Sequence, residues 1–314
     1  MQGGIISPTL ANMALDGIQH MLADNFKRKK IDGEDYSPKI NFVRYADDFI
    51  ITGARKDVLE KEVKPMLVEF LSVRGLTLSE EKTLITHIDN GFDFLGFNMR
   101  KFKGTLLTQP SKKKVKKFLD NIRDVIDKNK SCKQETLIRL LNPKITGWAN
   151  YYRCGASSKT FANVDHHIWW ALWRWAKRRH SKKGKHWILD RYFHQHKGRS
   201  NNFLVKLDKR GKVDIFPLKL AFETKIIRHV KIDSKSNPFD TDWHDYFEER
   251  ETYKMTLSLK GRSSLLYMWR KQNKLCPICN KPIDSEAQWN VREQNTENGK
   301  SKLLVHDTCY KAIR

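Results

Sequence analysis

The chain has 314 residues, with 60 Lys and Arg against 36 Asp and Glu, a formal net charge of +24. Its length predicts two or three domains with real cores, and 39% apolar with 11% aromatic residues excludes a disordered polyelectrolyte. No run approaches the ~18–20 apolar residues of a membrane span, no signal-peptide pattern opens the chain, and five cysteines are too few for a disulfide framework. These features predict a cytoplasmic protein that does not enter membranes. With a pI near 9.8 they point to a polyanionic partner, because neutralised phosphates release counterions and aromatic rings stack on bases. A solvated basic surface or an anionic membrane surface is the competing reading of the charge.

Met1–Asn12 reads MQGGIISPTLAN. Gly3 and Gly4, after Gln2, let another backbone, a base or a phosphate approach closely. Ser7 suits a helix cap and Pro8 a first turn, so one helix is predicted to run to about Lys30. Asn41–Thr52 reads NFVRYADDFIIT, apolar on both sides of Asp47-Asp48. This predicts a β-hairpin with the acidic pair at its tip. Adjacent strand residues point to opposite faces, and the pair suits either an Asp-rich turn or Mg²⁺ held by hard oxygen ligands.

From Lys101 the chain turns basic. Ser111 is placed to cap a helix opened by Lys112, Lys113 and Lys114. Leu137–Trp148 and His166–Arg179 have helical periodicity, which assigns Trp148, Tyr151, Trp169 and Trp173 to the core. Arg178, Arg179, Lys182, Lys183 and Lys185 lie where the periodicity fades, as a phosphate-facing patch or a solvated turn. His166-His167 has no ligand partner at helical spacing and reads as structural. After a Ser/Asn/Pro/Asp-rich linker (residues 233–243), Cys276-x₂-Cys279 and His306-x₂-Cys309 form two ligand pairs suited to tetrahedral Zn²⁺. Cys132 and Cys154 fall outside that pattern.

QGG-x₂-SP-x-LAN, Tyr45-Ala46-Asp47-Asp48, GLTLSEEKT (75–83) and FLGF (94–97) occur in this order. Together they resemble the polymerase core of reverse transcriptases, and more narrowly the reverse transcriptase–maturases of group II introns. The resemblance implies that Asp47 is the catalytic Mg²⁺ ligand and Asp48 its neighbour. It sets Gln2, Gly3 and Gly4 under the templating base pair and the incoming nucleotide, Tyr45 and Ala46 beside the primer, and Lys82 toward the triphosphate. FLGF would belong to the grip on the primer strand. LNPKITGWANYYR (141–153), WRWAKRRH (173–180) and 187–193 resemble the maturase, or thumb, domain of the same proteins. Lys112, Lys113, Lys114, Arg153, Arg178, Arg179, Lys182 and Lys183 would then contact nucleic acid.

The C-terminal segment resembles the HNH endonuclease of these proteins, with Cys276, Cys279, His306 and Cys309 as Zn²⁺ ligands. Where the family carries a His-His strand this chain reads Trp289-Asn290-Val291-Arg292-Glu293. Arginine stays protonated and is a poor base, and Asn295 and Asn298 supply none, so DNA cleavage is expected to be lost.

The expected fold class is therefore α+β: a partial palm (1–105), a helical thumb/maturase domain (106–230), an approach segment (231–262) and a degenerate HNH-type zinc module (263–314). The expected partners are group II intron RNA, an RNA template with its DNA primer, and target DNA. The family's fingers and first catalytic aspartate precede the QGG block, and this sequence starts one residue before Gln2. It is thus expected not to polymerise efficiently alone, being either completed by a separate N-terminal fragment or a remnant. A non-polymerising RNA-binding maturase is the alternative, and an HNH nuclease the less favoured one.

Overall fold

Gly17 splits what the sequence offers as a single N-terminal helix. Its φ of +90° is left-handed, so α1 (Ser7–Leu15) stops and α2 (Ile18–Asn25) starts in a new direction. Ser7 is not the cap: Ile6 holds that position, and Ser7 and Pro8 lie in the first turn. Nor does the helix reach Lys30, because β1 (Lys29–Ile31) pairs there with β2 (Glu34–Tyr36). The computed structural model describes residues 6–31, 34–209, 212–227, 229–233, 235–296 and 299–312, in two units, Met1–His229 and Val230–Arg314.

In the first unit, β3 (Asn41–Tyr45) and β4 (Asp48–Thr52) form a hairpin. A helix follows as α3 (Lys56–Val58), a π-wound turn (Leu59–Val63) and α4 (Lys64–Ser72). Pro65 has no N–H to give the Lys61 carbonyl, and the helix widens just before it. Leu15, Ile18 and Leu22 bury against Val58, Val63, Leu67 and Leu71, with Phe42, Phe49 and Ile51 of the hairpin packed on that core.

A three-stranded antiparallel meander comes next: β5 (Phe92–Phe94), β6 (Phe97–Phe102) and β7 (Thr105–Pro110). Its two turns, Leu95-Gly96 and Lys103-Gly104, have positive φ at both residues, which matches the twist of tight hairpins. Ser111 then caps α5 (Lys112–Lys128), its side chain accepting from Lys114 N, as the sequence predicts.

α6 (Gln134–Tyr152) and α7 (Ser158–Arg179) complete a helical core built on Leu137, Leu141, Ile145, Phe161, Ile168 and Leu172. After α8 (Lys185–Tyr192), strands β8 (Phe193–His196), β9 (Arg199–Lys209) and β10 (Lys212–Pro217) form a sheet in the order β10-β9-β8. Polar side chains bolt this sheet to α6. Gln134 Nε2 donates to the carbonyls of Tyr192 and Leu204, and Asn142 donates to the Pro217 carbonyl while accepting from Lys219 N.

The second unit holds α9 (His244–Ser258), α10 (Ser263–Lys271), the antiparallel pair β11 (Trp289–Thr296) and β12 (Gly299–His306), and α11 (Asp307–Ala312). Its core gathers Met255, Leu259, Leu265, Trp269, Cys276, Ile283, Leu304 and Val305. All strand pairings among the described residues are antiparallel, and with the helices they make the class α+β, as expected. Among the described residues no helix is long and apolar enough to cross a membrane.

Candidate nucleic-acid site and metal centre

The acidic hairpin differs from expectation by one residue. Tyr45 pairs with Asp48, so the turn is Ala46-Asp47 and Asp48 already belongs to β4. Ala46 sits at φ +54°, a left-handed conformation uncommon outside glycine. The inner face of the hairpin (Phe42, Phe49, Ile51) packs on the helices. Arg44 shares the inner face, and its Nη1 is buried without a partner. Across from these, Val43 (56% exposed) and Tyr45 (64%) share the open face with Asp48.

Both carboxylates are exposed. Their hard oxygens suit Mg²⁺, yet among the described residues no third His, Cys, Asp or Glu joins them in a metal-holding group. Lys82 is exposed on a turn in which Lys82 N and Thr83 N both donate to the Ser79 carbonyl. Gln2, Gly3 and Gly4 lie outside the described residues.

The basic residues divide into free-standing and committed ones. Lys112, Lys113 and Lys114 are exposed on the first turn of α5, and Arg178, Lys182 and Lys183 at and beyond the end of α7. At the end of α7 cations complement the partial negative charge of the helix C-terminus. Lys183 lies 5.5 Å from the Trp187 ring centroid. Arg179 is already engaged: its Nη1 donates to the carbonyls of Lys130 (3.1 Å) and Cys132 (2.8 Å), and the guanidinium covers Trp175. It fastens the α5–α6 loop, so its first role is internal. Arg153 is half-buried, and its carbonyl accepts from Ile227 N.

Most of the aromatic assignments hold. Trp148 stacks on Phe118 at 4.6 Å, and Trp169 stacks on Trp173 while its Nε1 donates to the Asn201 carbonyl. Tyr151 does not: it is 55% exposed, with its ring on Phe97 and its hydroxyl on the Leu95 carbonyl. Sequence reasoning also passed over Trp170, which is 43% exposed and donates from Nε1 to His166 Nε2 at 3.1 Å. One residue along a helix is a 100° rotation, so Trp170 had to leave the face that buries Trp169.

The four side chains that the sequence offers as metal ligands come together, and could hold an ion. Sγ of Cys276, Cys279 and Cys309 and a ring nitrogen of His306 all lie within 4.8 Å of one another, with Cys279 Sγ to His306 Nδ1 at 3.3 Å. Tetrahedral bonds of ~2.0–2.3 Å to one ion fit such a span. Cys276 and Cys279 sit on a tight knuckle closed by Cys276 N to Lys281 O and Asn280 N to Cys276 O. His306 ends β12, and Cys309 lies in α11.

His306 Nε2 faces the Pro282 carbonyl at 3.1 Å, which leaves Nδ1 toward the sulfurs and fixes the ring. Burial raises the Cys276 thiol pKa, but hydrogen bonds from the backbone at His306, Cys279 and Ile278 outweigh it and bring the pKa down to about 6. Burial and the neighbouring sulfurs raise Cys309. The arrangement favours thiolate at Cys276, the form that binds metal.

Residues 1–99 match the family model described as reverse transcriptase (RNA-dependent DNA polymerase), and residues 115–193 match the group II intron, maturase-specific domain. Together these take in more than half of the chain. Protein YkfC of Escherichia coli (strain K12) is 28% identical over 31% of this chain and 31% of its own. The group II intron-encoded protein LtrA of Lactococcus lactis subsp. cremoris is 28% identical over 48% of this chain and 39% of LtrA. The ribosomal operon-associated A protein of Euglena gracilis is 25% identical over 55% of this chain and 34% of its own. The chain spans about a third to two fifths of the length of these relatives.

Proposed function

Because the chain belongs to the family of group II intron reverse transcriptase/maturases, we propose that it forms the active-site hairpin and the RNA-binding helical block of such a protein. Residues 1–105 are the palm segment, 106–230 the thumb/maturase domain, 231–262 an approach segment and 263–314 a zinc module derived from an HNH endonuclease. The activity proposed is RNA-directed DNA synthesis coupled to binding of group II intron RNA. Its partners are an RNA template with its DNA primer, and target DNA. The observation that carries this reading is the Ala46-Asp47 turn, which sets two exposed carboxylates at the open end of a hairpin in a strongly basic chain.

Asp47 and Asp48 would hold Mg²⁺, which when bound activates a primer 3′-hydroxyl and steadies the triphosphate. The chain's own groups then have separable tasks. Tyr45, on the same face as Asp48, lies along the primer, and Lys82 offers its charge to the triphosphate. Lys112, Lys113, Lys114, Arg178, Lys182 and Lys183 bind phosphates and set register without reading sequence.

A two-ion site needs a further carboxylate, and the palm segment has apolar surface ready for the element that would bring one. Ile6 at the cap of α1, with Leu10 and Met13 on the helix, forms an exposed stripe, and Val43 and Tyr45 are exposed on a sheet that has two strands among the described residues. Two strands alone are marginal in water. A strand-bearing fragment from outside residues 1–314 would cover that surface.

Primer extension on an RNA template is the test. Extension is expected once a fingers-bearing fragment is added, and Asp47→Ala should abolish it. Extension that survives Asp47→Ala overturns the assignment. The absence of a third carboxylate among the described residues supports a second reading, a maturase that binds RNA without polymerising. On that reading no fragment restores extension, while Arg178→Ala with Lys182→Ala still weakens RNA binding and reduces the salt slope by roughly one per lost phosphate contact.

The three thiols and one imidazole make a closed four-ligand set, which suits structural Zn²⁺. β11 offers Arg292 and Glu293 where a nuclease needs a histidine base, and Glu293 is paired with Lys302 at 3.3 Å. The module is therefore read as a non-cleaving scaffold. Zinc measured at one per chain, with no Mg²⁺-dependent nicking of duplex DNA, is the expected result.

A further inference from the structure

The Leu95-Gly96 turn is held more tightly than a two-residue hairpin turn needs to be. Leucine is disfavoured at positive φ because its Cβ crowds the following carbonyl, yet Leu95 lies at +48° beside Gly96 at +82°. Both turn carbonyls accept hydrogen bonds from the helical block. Tyr151 Oη of α6 donates to Leu95 O at 2.7 Å, and Ser111 N, at the cap of α5, donates to Gly96 O at 2.9 Å.

Rings lock the same place. Phe97 stacks on Tyr151 (5.6 Å, 26°) and meets Tyr152 edge-on (5.0 Å). A Cβ on Gly96 would lie 2.9 Å from the Tyr152 hydroxyl. Despite these contacts the surface stays open, with Tyr151 55% and Leu95 36% exposed. A half-exposed tyrosine that spends its one proton on a strained turn contributes orientation rather than burial.

We propose that Tyr151 is a positioning residue: its hydroxyl keeps the Leu95-Gly96 turn left-handed and so fixes the turn's exposed edge where the primer strand of a bound duplex rests. The claim rests on reading residues 94–97 as part of the primer-facing surface. It adds a mechanical link to that reading, in which α6 and the turn form one rigid edge. Tyr151→Phe keeps the ring on Phe97 and removes only the donor. Leu95→Gly removes the strain that the donor offsets, since glycine adopts positive φ freely.

The test uses the full chain and two readouts. One is amide exchange in the segment 92–99. The other is fluorescence-anisotropy binding of an RNA–DNA hybrid with a recessed primer 3′ end, compared with a blunt hybrid of equal length. Tyr151→Phe is expected to speed exchange and to cut the preference for the recessed end roughly three- to tenfold, the worth of one hydrogen bond, with blunt-hybrid affinity unchanged. Adding Leu95→Gly to that variant should restore slow exchange.

Unchanged exchange in Tyr151→Phe overturns the pinning. Faster exchange with an unchanged preference overturns the primer-facing role. A double variant whose exchange stays fast shows that Tyr151 acts through α6 instead, and also overturns the proposal. A wild-type chain with no preference for recessed ends sinks the underlying functional reading, while the exchange arm still reports the pinning separately.

Discussion

Asp165 shows how much of a residue's role depends on what folds over it. In sequence it is one acid in a helix; in the fold its carboxylate accepts from Ala221 N (2.8 Å) and Phe222 N (2.9 Å), capping the short turn that closes the helical core. Burial raises its pKa from 3.8 to about 6, against the pull of those two hydrogen bonds. The folded protein therefore holds the Asp165 proton more tightly than the unfolded chain does. Its contribution is fully present below pH ~4 and is lost as pH rises through about 6. Relative to Asp165→Asn, wild-type stability should fall by at most ~2–3 kcal/mol across that window and then stay flat. Denaturant titrations of both proteins at several pH values check this, and a difference that grows with pH contradicts it. Arg179 and Trp170 teach the same lesson. Which arginine folds back onto the carbonyls of Lys130 and Cys132, and which neighbour in a Trp-Trp pair faces outward, depends on long-range packing and on a 100° step that composition does not carry.

At the scale of elements, what could be read was what is local. The Ser111 cap, the helices after it and the antiparallel hairpin at Asp47 follow from capping chemistry and periodicity, which act within a few residues. The misses came where one backbone conformation decides register. Gly17 at +90° breaks a helix that periodicity would continue, and Ala46 at +54° shifts the acidic turn by one residue. Neither angle is encoded by residue type alone. Removing the Ser111 side-chain acceptor with Ser111→Ala should cost about 1 kcal/mol. Gly155→Ala should cost more, roughly 1–3 kcal/mol, because its Cβ would stand 2.7 Å from the Thr108 carbonyl oxygen where β7 passes the α6–α7 corner. Thermal unfolding of the two variants gives the order directly, and equal shifts would mean that this corner yields at little expense.

For the whole molecule, the two units differ in what holds them together. The first buries two apolar clusters, one on α1–α4 and one on α5–α8 with the β8–β10 sheet, and neither includes the metal-ligating side chains. The second is small, and its core contains one of those side chains: Cys276 is fully buried beside Met255, Leu265, Trp269 and Ile283. The four ligands also join separate pieces of that unit, tying the Cys276–Cys279 knuckle to the end of β12 and to α11. For a structural zinc site the binding free energy is folding free energy. With the proposed Zn²⁺ in that cluster, withdrawing it should leave the first unit intact and unfold the second. Calorimetry is expected to show two transitions, with a strong chelator or Cys276→Ser lowering or abolishing only the smaller one. RNA affinity measured in the same samples should fall little, because the exposed lysines and arginines assigned to phosphate contact all lie before residue 230. If chelation instead lowers both transitions together, the two units do not fold independently. If it moves neither, the cysteine–histidine cluster is not what holds the C-terminal module.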